Sequence, residues 1–212
     1  MNLQKIIRSG LLLAFFAVSG VANAIPALTF PSVGFENSAG TTSTRGYAFD
    51  VLSAVTVTHL SFYDSPFNGV GLADSHEVGL WDPSGVLLSS GTIASGVVAP
   101  LDSTGLFRLL DVADFVLGIG TGYTVGALFI AGSADRQASQ LPSVSTPAEI
   151  SYVERRFINN GIASLTRPTS TDGILGLPGG SFEIAAAVPE PTTLSLFGLS
   201  LAGLGWFRRK KV

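Results

Sequence analysis

The feature that most constrains the fold is a two-residue alternation of side chains within short segments separated by turn residues. Residues 54–63 read AVTVTHLSFY, in which β-branched and aromatic residues recur at every second position. This period predicts a β-strand, whereas an amphipathic helix needs apolar residues spaced three and four apart. Residues 25–187 contain no long amphipathic pattern and no internal repeat. The chain is therefore predicted to form an all-β domain.

The same pattern predicts further strands, with turn residues setting their limits. The predicted strands are residues 46–52, 54–63, 76–81, 85–93, 105–111, 122–130, 149–158 and 181–187, with a short helix as the alternative for 149–158. Asp82-Pro83-Ser84-Gly85 fits a type I turn, which predicts a hairpin around it. Residues 132–148 and 159–180 are predicted loops. Seven or eight strands at this spacing predict a single β-sandwich of jelly-roll type.

The first 24 residues have the layout of a secretory signal peptide. Two basic residues precede an apolar run at 11–18, and Ala22-Asn23-Ala24 is a small-x-small cleavage site. This order predicts export and cleavage after Ala24. The alternatives are a buried core helix or a retained anchor, but the run is too short to span a bilayer.

The last 25 residues contain a second apolar segment, with its basic residues placed after it. Residues 194–207 would form a helix of about 21 Å, which is marginal for a hydrocarbon core of about 30 Å. The basic cluster Arg208, Arg209, Lys210 and Lys211 follows directly, and it predicts a cytoplasmic stop to export. A buried C-terminal helix is the alternative, which this cluster argues against. The sequence thus predicts a short transmembrane helix with the domain outside.

A short proline-containing stretch precedes this helix. Val188-Pro189-Glu190-Pro191 is predicted to be extended and exposed, because each proline disfavours helix in the residue before it. VPEP, a short apolar helix and a basic cluster together resemble the PEP-CTERM sorting signal of exopolysaccharide-producing Gram-negative bacteria. The resemblance implies that an exosortase, a membrane cysteine peptidase, recognises the signal and processes the chain near it. No LPxTG precedes the anchor, which disfavours a cell-wall sortase.

The middle of the chain carries a second resemblance. The segments VTVTHLSFYD, GLADSHEVGLWDPSGVLL, GLFRLLD and GYTVGALF lie between residues 46 and 127 or just beyond. Together they resemble a β domain of unassigned function that recurs in PEP-CTERM proteins. The resemblance implies a sandwich and no particular chemistry. The domain organisation is then a signal peptide at 1–24, a β domain at 25–187 and a sorting signal at 188–212.

Composition excludes several functions for the region between residues 25 and 191. This region holds all 15 acidic residues and only six basic residues, all arginine, for a formal charge of −9. Nucleic-acid binding is disfavoured, because phosphate contacts need clustered cations. The chain has no cysteine, which excludes thiol catalysis, iron–sulfur clusters and cysteine zinc sites.

The densest group of polar residues with catalytic or metal-binding chemistry lies between positions 64 and 82. Asp64, Asn68 and Asp74 supply oxygen donors for a candidate calcium site, although without the spacing of an EF-hand. His76 shares a strand face with apolar residues, which predicts a buried, hydrogen-bonded side chain. Asp82 is predicted to cap its own turn. No GxSxG or HExxH motif is present, and residues 118–122 predict a turn rather than a dinucleotide loop.

Aromatic and arginine residues provide the candidate ligand contacts. Trp81, beside the turn, is the best candidate for an exposed ring that stacks on a sugar, although aromatic residues at alternating strand positions are mostly core. Glu154, Arg155 and Arg156 are predicted to form a solvated strand edge. Arginines left unpaired there could contact acidic polysaccharide.

These features predict an exported, non-enzymatic protein of the cell surface or extracellular matrix, associated with exopolysaccharide and biofilm. It passes through the secretion machinery and signal peptidase, is held transiently at the inner membrane with its domain in the periplasm, and is processed by an exosortase. No cofactor is expected. One alternative is a carbohydrate-binding module, with or without calcium. A remote alternative is a glycoside hydrolase, which needs two carboxylates about 5–10 Å apart across a cleft.

Overall fold

The computed structural model describes residues 24–66, 71–159, 161–176 and 179–186, and these residues form an all-β domain without helices. The strands are β1 (Ala24–Pro26), β2 (Phe35–Ser38), β3 (Ser43–Val51), β4 (Val55–Tyr63), β5 (His76–Trp81), β6 (Leu87–Ile93), β7 (Phe107–Leu117), β8 (Gly120–Phe129), β9 (Arg136–Ser139), β10 (Ile150–Ile158) and β11 (Gly180–Ala185). No helix in this part of the chain has the length and apolarity that a membrane crossing requires.

The strands form three antiparallel sheets. The first sheet has the order β1-β11-β4-β7, the second has the order β10-β3-β8-β5-β6, and β2 and β9 form a small third sheet. Strand β5 pairs with β6, β4 with β7 and β3 with β8, so the chain doubles back on itself about the β5–β6 hairpin. Successive pairs in this nested series alternate between the two larger sheets.

The hairpin confirms the predicted turn at residues 82–85. The N–H of Gly85 donates to the Asp82 carbonyl oxygen at 3.0 Å. The Oδ1 atom of Asp82 accepts the Val86 N–H at 2.8 Å and the Ser84 hydroxyl at 2.7 Å. Asp82 therefore caps its own turn, which fixes the register between β5 and β6.

The hydrophobic core lies between the two larger sheets. Phe49 on β3 and Phe182 on β11 are fully buried, with ring centroids 4.8 Å apart. Phe62 on β4 and Phe129 on β8 make a second contact at 5.2 Å between ring centroids. Both contacts join one sheet to the other. Because each fully buried side chain of this kind contributes about 1.5–3 kcal/mol, such pairs hold the two layers together.

All eight predicted strands are present, and residues 150–158 form strand rather than helix. Three further strands, β1, β2 and β9, are not predicted by the sequence. They are three or four residues long, which is too short for an alternation to be recognised. β2 and β9 pair with each other, from Phe35 opposite Ser139 to Ser38 opposite Arg136. β9 lies within the predicted loop at 132–148. It is not evident from the sequence, because the strand with which it pairs, β2, is distant in the chain.

The two ends of the described domain lie side by side. β1 pairs antiparallel with β11, with Ala24 opposite Ala185 and Pro26 opposite Glu183. β11 also pairs with β4, so the last strand is held on both edges. The first and last residues of the domain are thus neighbours in one sheet.

Glu183 is a buried carboxylate on β11. It is 3% exposed, and its Oε2 atom lies 3.7 Å from Nδ1 of His59 on the paired strand β4. Burial and then the nearby charge of Asp102 raise the pKa of Glu183 to about 7. The folded protein therefore holds this proton at a pH where the unfolded chain has released it.

This proton predicts a pH dependence of stability. Between about pH 4.5 and 7 the folded state binds more protons than the unfolded state, so the free energy of unfolding falls as pH rises. Glu183→Gln is expected to flatten this dependence and to stabilise the full chain at pH 8 by about 1–3 kcal/mol. Urea unfolding of both proteins at pH 5 and pH 8 measures the effect, with exposed Asp114→Asn as the control. Equal pH slopes in wild type and Glu183→Gln would contradict the prediction.

Candidate functional site

A cleft of about 320 Å³ lies between the small β2–β9 sheet and strands β3 and β10. β2 contributes Phe35 and Asn37, and β9 contributes Gln137. Phe35 is 53% exposed, whereas Gln137 is buried and donates from Nε2 to Oδ1 of Asn37 at 2.5 Å. This wall of the cleft therefore offers an exposed aromatic ring and side-chain amides.

The opposite wall carries three arginines, Arg45 on β3 and Arg155 and Arg156 on β10. Antiparallel pairing places Arg155 near Arg45, because Phe157 lies directly opposite Arg45 and Arg155 is two residues before it on the same face of the sheet. None of the described residues that line the cleft is acidic. The cleft is therefore basic, although the domain around it is strongly acidic.

Two of the three arginines have carboxylate partners. Arg155 forms a two-pronged ion pair with Asp172, with Nε and Nη2 donating to the two carboxylate oxygens. Arg156 pairs with Glu154 at 2.5 Å between Nη2 and Oε1, and it also donates to the Thr169 carbonyl at 2.8 Å. These pairs neutralise two of the three positive charges. The Nε atom of Arg156 is buried without a hydrogen-bond partner.

Arg45 differs from the other two. Its Nε donates to the Ser43 hydroxyl at 3.0 Å, and its guanidinium lies 5.9 Å from the centre of the Phe129 ring. No carboxylate within the described residues forms an ion pair with it. Burial and then the like charge of Arg155 lower the pKa of Arg45. A half-buried cation that has no counter-ion among the described residues thus faces the cleft.

Two of these arginines are predicted ligand contacts from the sequence, and the third is not. Arg155 and Arg156 are predicted as contacts for acidic polysaccharide if unpaired, but the structure gives both of them carboxylate partners. Arg45 has the free charge. The residues next to Arg45 in the sequence do not show whether a carboxylate lies near it, because its neighbours in space come from strands that are distant in sequence.

Two of the three predicted calcium ligands, Asp64 and Asp74, lie in the described part of the chain. Asp64 is buried, and its Oδ2 accepts the Nε–H of Arg108 at 2.7 Å. Asn68 lies outside the described residues. Asp74 is half-buried, and its backbone N–H donates to Asp135 at 2.8 Å. No three His, Asp or Glu side chains of the described part converge so that they could hold a metal ion.

Trp81 is 5% exposed, so the open indole face expected from its place beside the turn is not found. It lies at the end of β5, in the paired interior of the second sheet. A sugar needs an accessible ring for stacking, and Trp81 does not provide one. The aromatic ring that is open to solvent at a cleft is instead Phe35.

His76 is buried and hydrogen-bonded, as predicted. It is 0% exposed, and its ring stacks on Phe62 with centroids 3.8 Å apart. Its Nε2 lies 2.9 Å from Oδ2 of Asp135, and its Nδ1 lies 2.9 Å from the Leu128 carbonyl oxygen. Both nitrogens face acceptors, so this geometry suits a ring that donates from both nitrogens and forms an ion pair with Asp135. The pair is sealed inside the core and is a structural element.

Ala24, one of the two predicted signal-cleavage residues, is the first described residue and lies in β1. Its partner strand β11 comes more than 150 residues later in the sequence. Ala22, the motif Val188-Pro189-Glu190-Pro191, the apolar segment 194–207 and the basic stop at 208–211 lie outside the described residues.

Comparison with known proteins identifies the C-terminal segment. Residues 187–210 match the family model described as the PEP-CTERM protein-sorting motif. No curated protein and no solved structure matches the chain. The motif implies export, a membrane-anchored sorting signal and an exosortase as the processing partner. The match covers this segment and does not extend into the β domain.

Proposed function

We propose that this PEP-CTERM protein is a non-enzymatic component of the cell surface or extracellular matrix, which an exosortase processes and leaves among exopolysaccharide. The observation that carries the proposal is the sorting motif at residues 187–210, which begins two residues after the end of β11. The secretory signal predicted at residues 1–24 supports it from the other end of the chain. In this proposal the domain stays in the periplasm during anchoring and is then released outwards.

The chemistry of the cleft favours binding over catalysis. Hydrolysis of a glycosidic bond needs two carboxylates on opposite sides of the substrate. Within the part of the chain that the structure describes, arginines, amides and aromatic rings line the cleft, and no carboxylate does. The proposal includes no metal or cofactor, because Asp64 of the predicted calcium set is already engaged by Arg108.

We also infer that the domain is a jelly-roll-like sandwich. The nested pairs β3–β8, β4–β7 and β5–β6 support this, because they form a doubled ribbon that passes back and forth between two facing sheets. Such a scaffold places its loops and side openings at the surface and hosts many functions.

Changes in the VPEP stretch test the sorting step. The full chain with Pro189→Ala and Glu190→Ala is expressed in a Gram-negative host that carries an exosortase. We expect the wild type to appear outside the cell with a reduced mass, and the variant to remain membrane-bound at a greater mass. Cell fractionation and intact-mass measurement report both outcomes.

Two controls make this result specific. Asp114→Asn, an exposed change in β7, is expected to be processed like the wild type, and the wild type in a host without exosortase should behave like the VPEP variant. Release of the VPEP variant at the wild-type mass would contradict the proposed processing.

The matrix role has a separate test. Protein recovered from the extracellular fraction is expected to sediment with the polymer and to become soluble when the polymer is digested. Protein that is processed but stays soluble in the presence of intact polymer would contradict the exopolysaccharide association and leave the sorting step unaffected.

A further inference from the structure

We propose that the cleft between the β2–β9 sheet and strands β3 and β10 binds a carboxylate-bearing sugar unit, with Arg45 as the anchor for the carboxylate. This inference rests on the proposed function, since it names the class of ligand that an exported matrix protein would hold. The sorting motif lies at residues 187–210, so the family match says nothing about this cleft.

The charge of Arg45 is the first argument. A guanidinium in a partly buried position is normally balanced by a carboxylate, because desolvation of an unpaired charge costs free energy. Arg155 and Arg156 follow this rule. Within the described domain the Arg45 guanidinium has only a hydrogen bond to the Ser43 hydroxyl and a cation–π contact with the Phe129 ring. The planar fork of the guanidinium matches a carboxylate in two parallel hydrogen bonds. A carboxylate ligand would supply the missing counter-ion.

The other groups in the cleft match the remainder of a sugar acid. Asn37 and Gln137 provide amide donors and acceptors for hydroxyl groups, and their hydrogen bond to each other holds both in place. Phe35, exposed by 53%, can cover the apolar C–H face of a sugar ring. A volume of about 320 Å³ is at the small end of ligand sites, which fits one or two sugar units better than a long segment.

The acidic surface around the cleft makes binding more selective. The region from residue 25 to residue 191 carries a formal charge of −9, so its surface repels acidic polymers in general. A local basic cleft in such a surface admits a carboxylate only where Arg45 can pair with it. The expected complex is therefore specific to a site and moderately weakened by salt.

Isothermal titration calorimetry with the full chain in non-ionic detergent tests the site. The probes are oligoglucuronate, the same oligomer with its carboxyl groups reduced to alcohols, and free glucuronate. We expect saturable binding of oligoglucuronate and no measurable binding of the reduced oligomer. Free glucuronate separates the sources of the carboxylate: comparable affinity per site means that one sugar acid suffices, and weaker binding means that the cleft recognises a unit within a chain.

Variants locate the site. Arg45→Gln is expected to weaken oligoglucuronate binding about tenfold or more, since a charge-assisted hydrogen bond is lost. Arg136→Gln removes the same charge from an exposed position on β9 outside the cleft, and its affinity should stay within about twofold of wild type. Arg45→Lys keeps the charge without the fork and should give an intermediate affinity. It also serves as the test variant if Arg45→Gln does not fold, which the thermal unfolding midpoint reports.

The inference would be overturned by equal binding of the acidic and the reduced oligomer, by unchanged affinity in a folded Arg45→Gln or Arg45→Lys variant, or by an equal loss in Arg136→Gln. Inorganic phosphate that competes as strongly as glucuronate would also overturn it, since the site would then be a general anion site. A protein that is processed and exported normally but fails to bind would refute this inference alone. A protein that binds but is not processed would refute the proposed sorting instead.

Discussion

Asp135→Asn is expected to lower the free energy of unfolding of the full chain by about 3–5 kcal/mol, because it removes the carboxylate that pairs with the buried His76 ring. Asp135 is 1% exposed in its side chain and His76 is 0% exposed. The hydrogen bond between them is 2.9 Å from Nε2 to Oδ2. Replacing the carboxylate with an amide removes the negative charge while keeping the shape of the side chain.

An amide also cannot satisfy the other donors around this position. Oδ1 of Asp135 accepts the Ala73 N–H, and Oδ2 accepts the Asp74 N–H, both at 2.8 Å. Asparagine has one oxygen, so in either orientation its NH₂ group faces a backbone N–H. The variant should therefore lose the anchor of the loop before β5 as well as the ion pair.

Acid titration provides a second readout of the same pair. Burial alone would raise the pKa of Asp135, but the hydrogen bonds from His76, Ala73 and Asp74 outweigh it and hold this pKa below its usual value. Below about pH 4 the unfolded chain binds the proton more readily than the folded chain, so stability falls as pH falls. Asp135→Asn should lack this part of the acid dependence.

Urea unfolding followed by circular dichroism measures both effects. Asp114→Asn, an exposed change of the same chemistry, should alter the free energy of unfolding by less than about 0.5 kcal/mol. A loss below about 1 kcal/mol in Asp135→Asn would contradict both the ion pair with His76 and the anchoring of the Ala73 and Asp74 N–H groups by this carboxylate.

Arg108→Met is expected to cost about 3–5 kcal/mol as well, for the same physical reason with the opposite charge left unpaired. Asp64 is 8% exposed in its side chain, and its Oδ1 already lacks a hydrogen-bond partner. Arg108 also donates from Nη1 to the Ala99 carbonyl at 2.9 Å and to the Val97 carbonyl at 3.3 Å. Its loss should loosen the segment between β6 and β7.

A double variant separates these two contributions. Arg108→Met combined with Asp64→Leu removes both charges, so most of the loss should be recovered. The remainder, about 1–3 kcal/mol, belongs to the two carbonyl groups left without a donor. If the double variant is less stable than Arg108→Met alone, the Asp64 carboxylate has another stabilising partner, and the interpretation of a simple ion pair is wrong.

Local patterns predicted the strands but not the partners of polar residues. The alternation in residues 54–63 and the turn at 82–85 depend on neighbours in sequence, and both predictions are confirmed. His76 is predicted to be buried because of its strand face, but Asp135, its partner, is 59 residues away and belongs to a predicted loop. A single sequence contains no local pattern that shows which short strands pair when they lie far apart in the chain.

The same limit explains the errors at the candidate site. Trp81 is predicted to be open because it stands beside a turn, yet 95% of it is covered. The cleft arises where β9 pairs with β2, about 100 residues apart, and neither strand is predicted. Arg45 becomes part of a site only through that pairing. The sequence therefore predicts the strands and the sorting signal, but not the cleft.

The pairing of β1 with β11 determines when the first sheet can be completed. β1 is synthesised first and β11 last, so the first sheet cannot be completed until almost the whole β domain has emerged on the outer side. If the segment predicted as a signal peptide is cleaved near Ala24 during export, the cut is made while β1 is still unpaired. The sorting motif at residues 187–210, in contrast, follows a strand that pairs on both of its edges. Pairing of the two terminal strands therefore depends on the folding of the rest of the first sheet, so a chain that fails to fold would leave both ends of the domain unpaired.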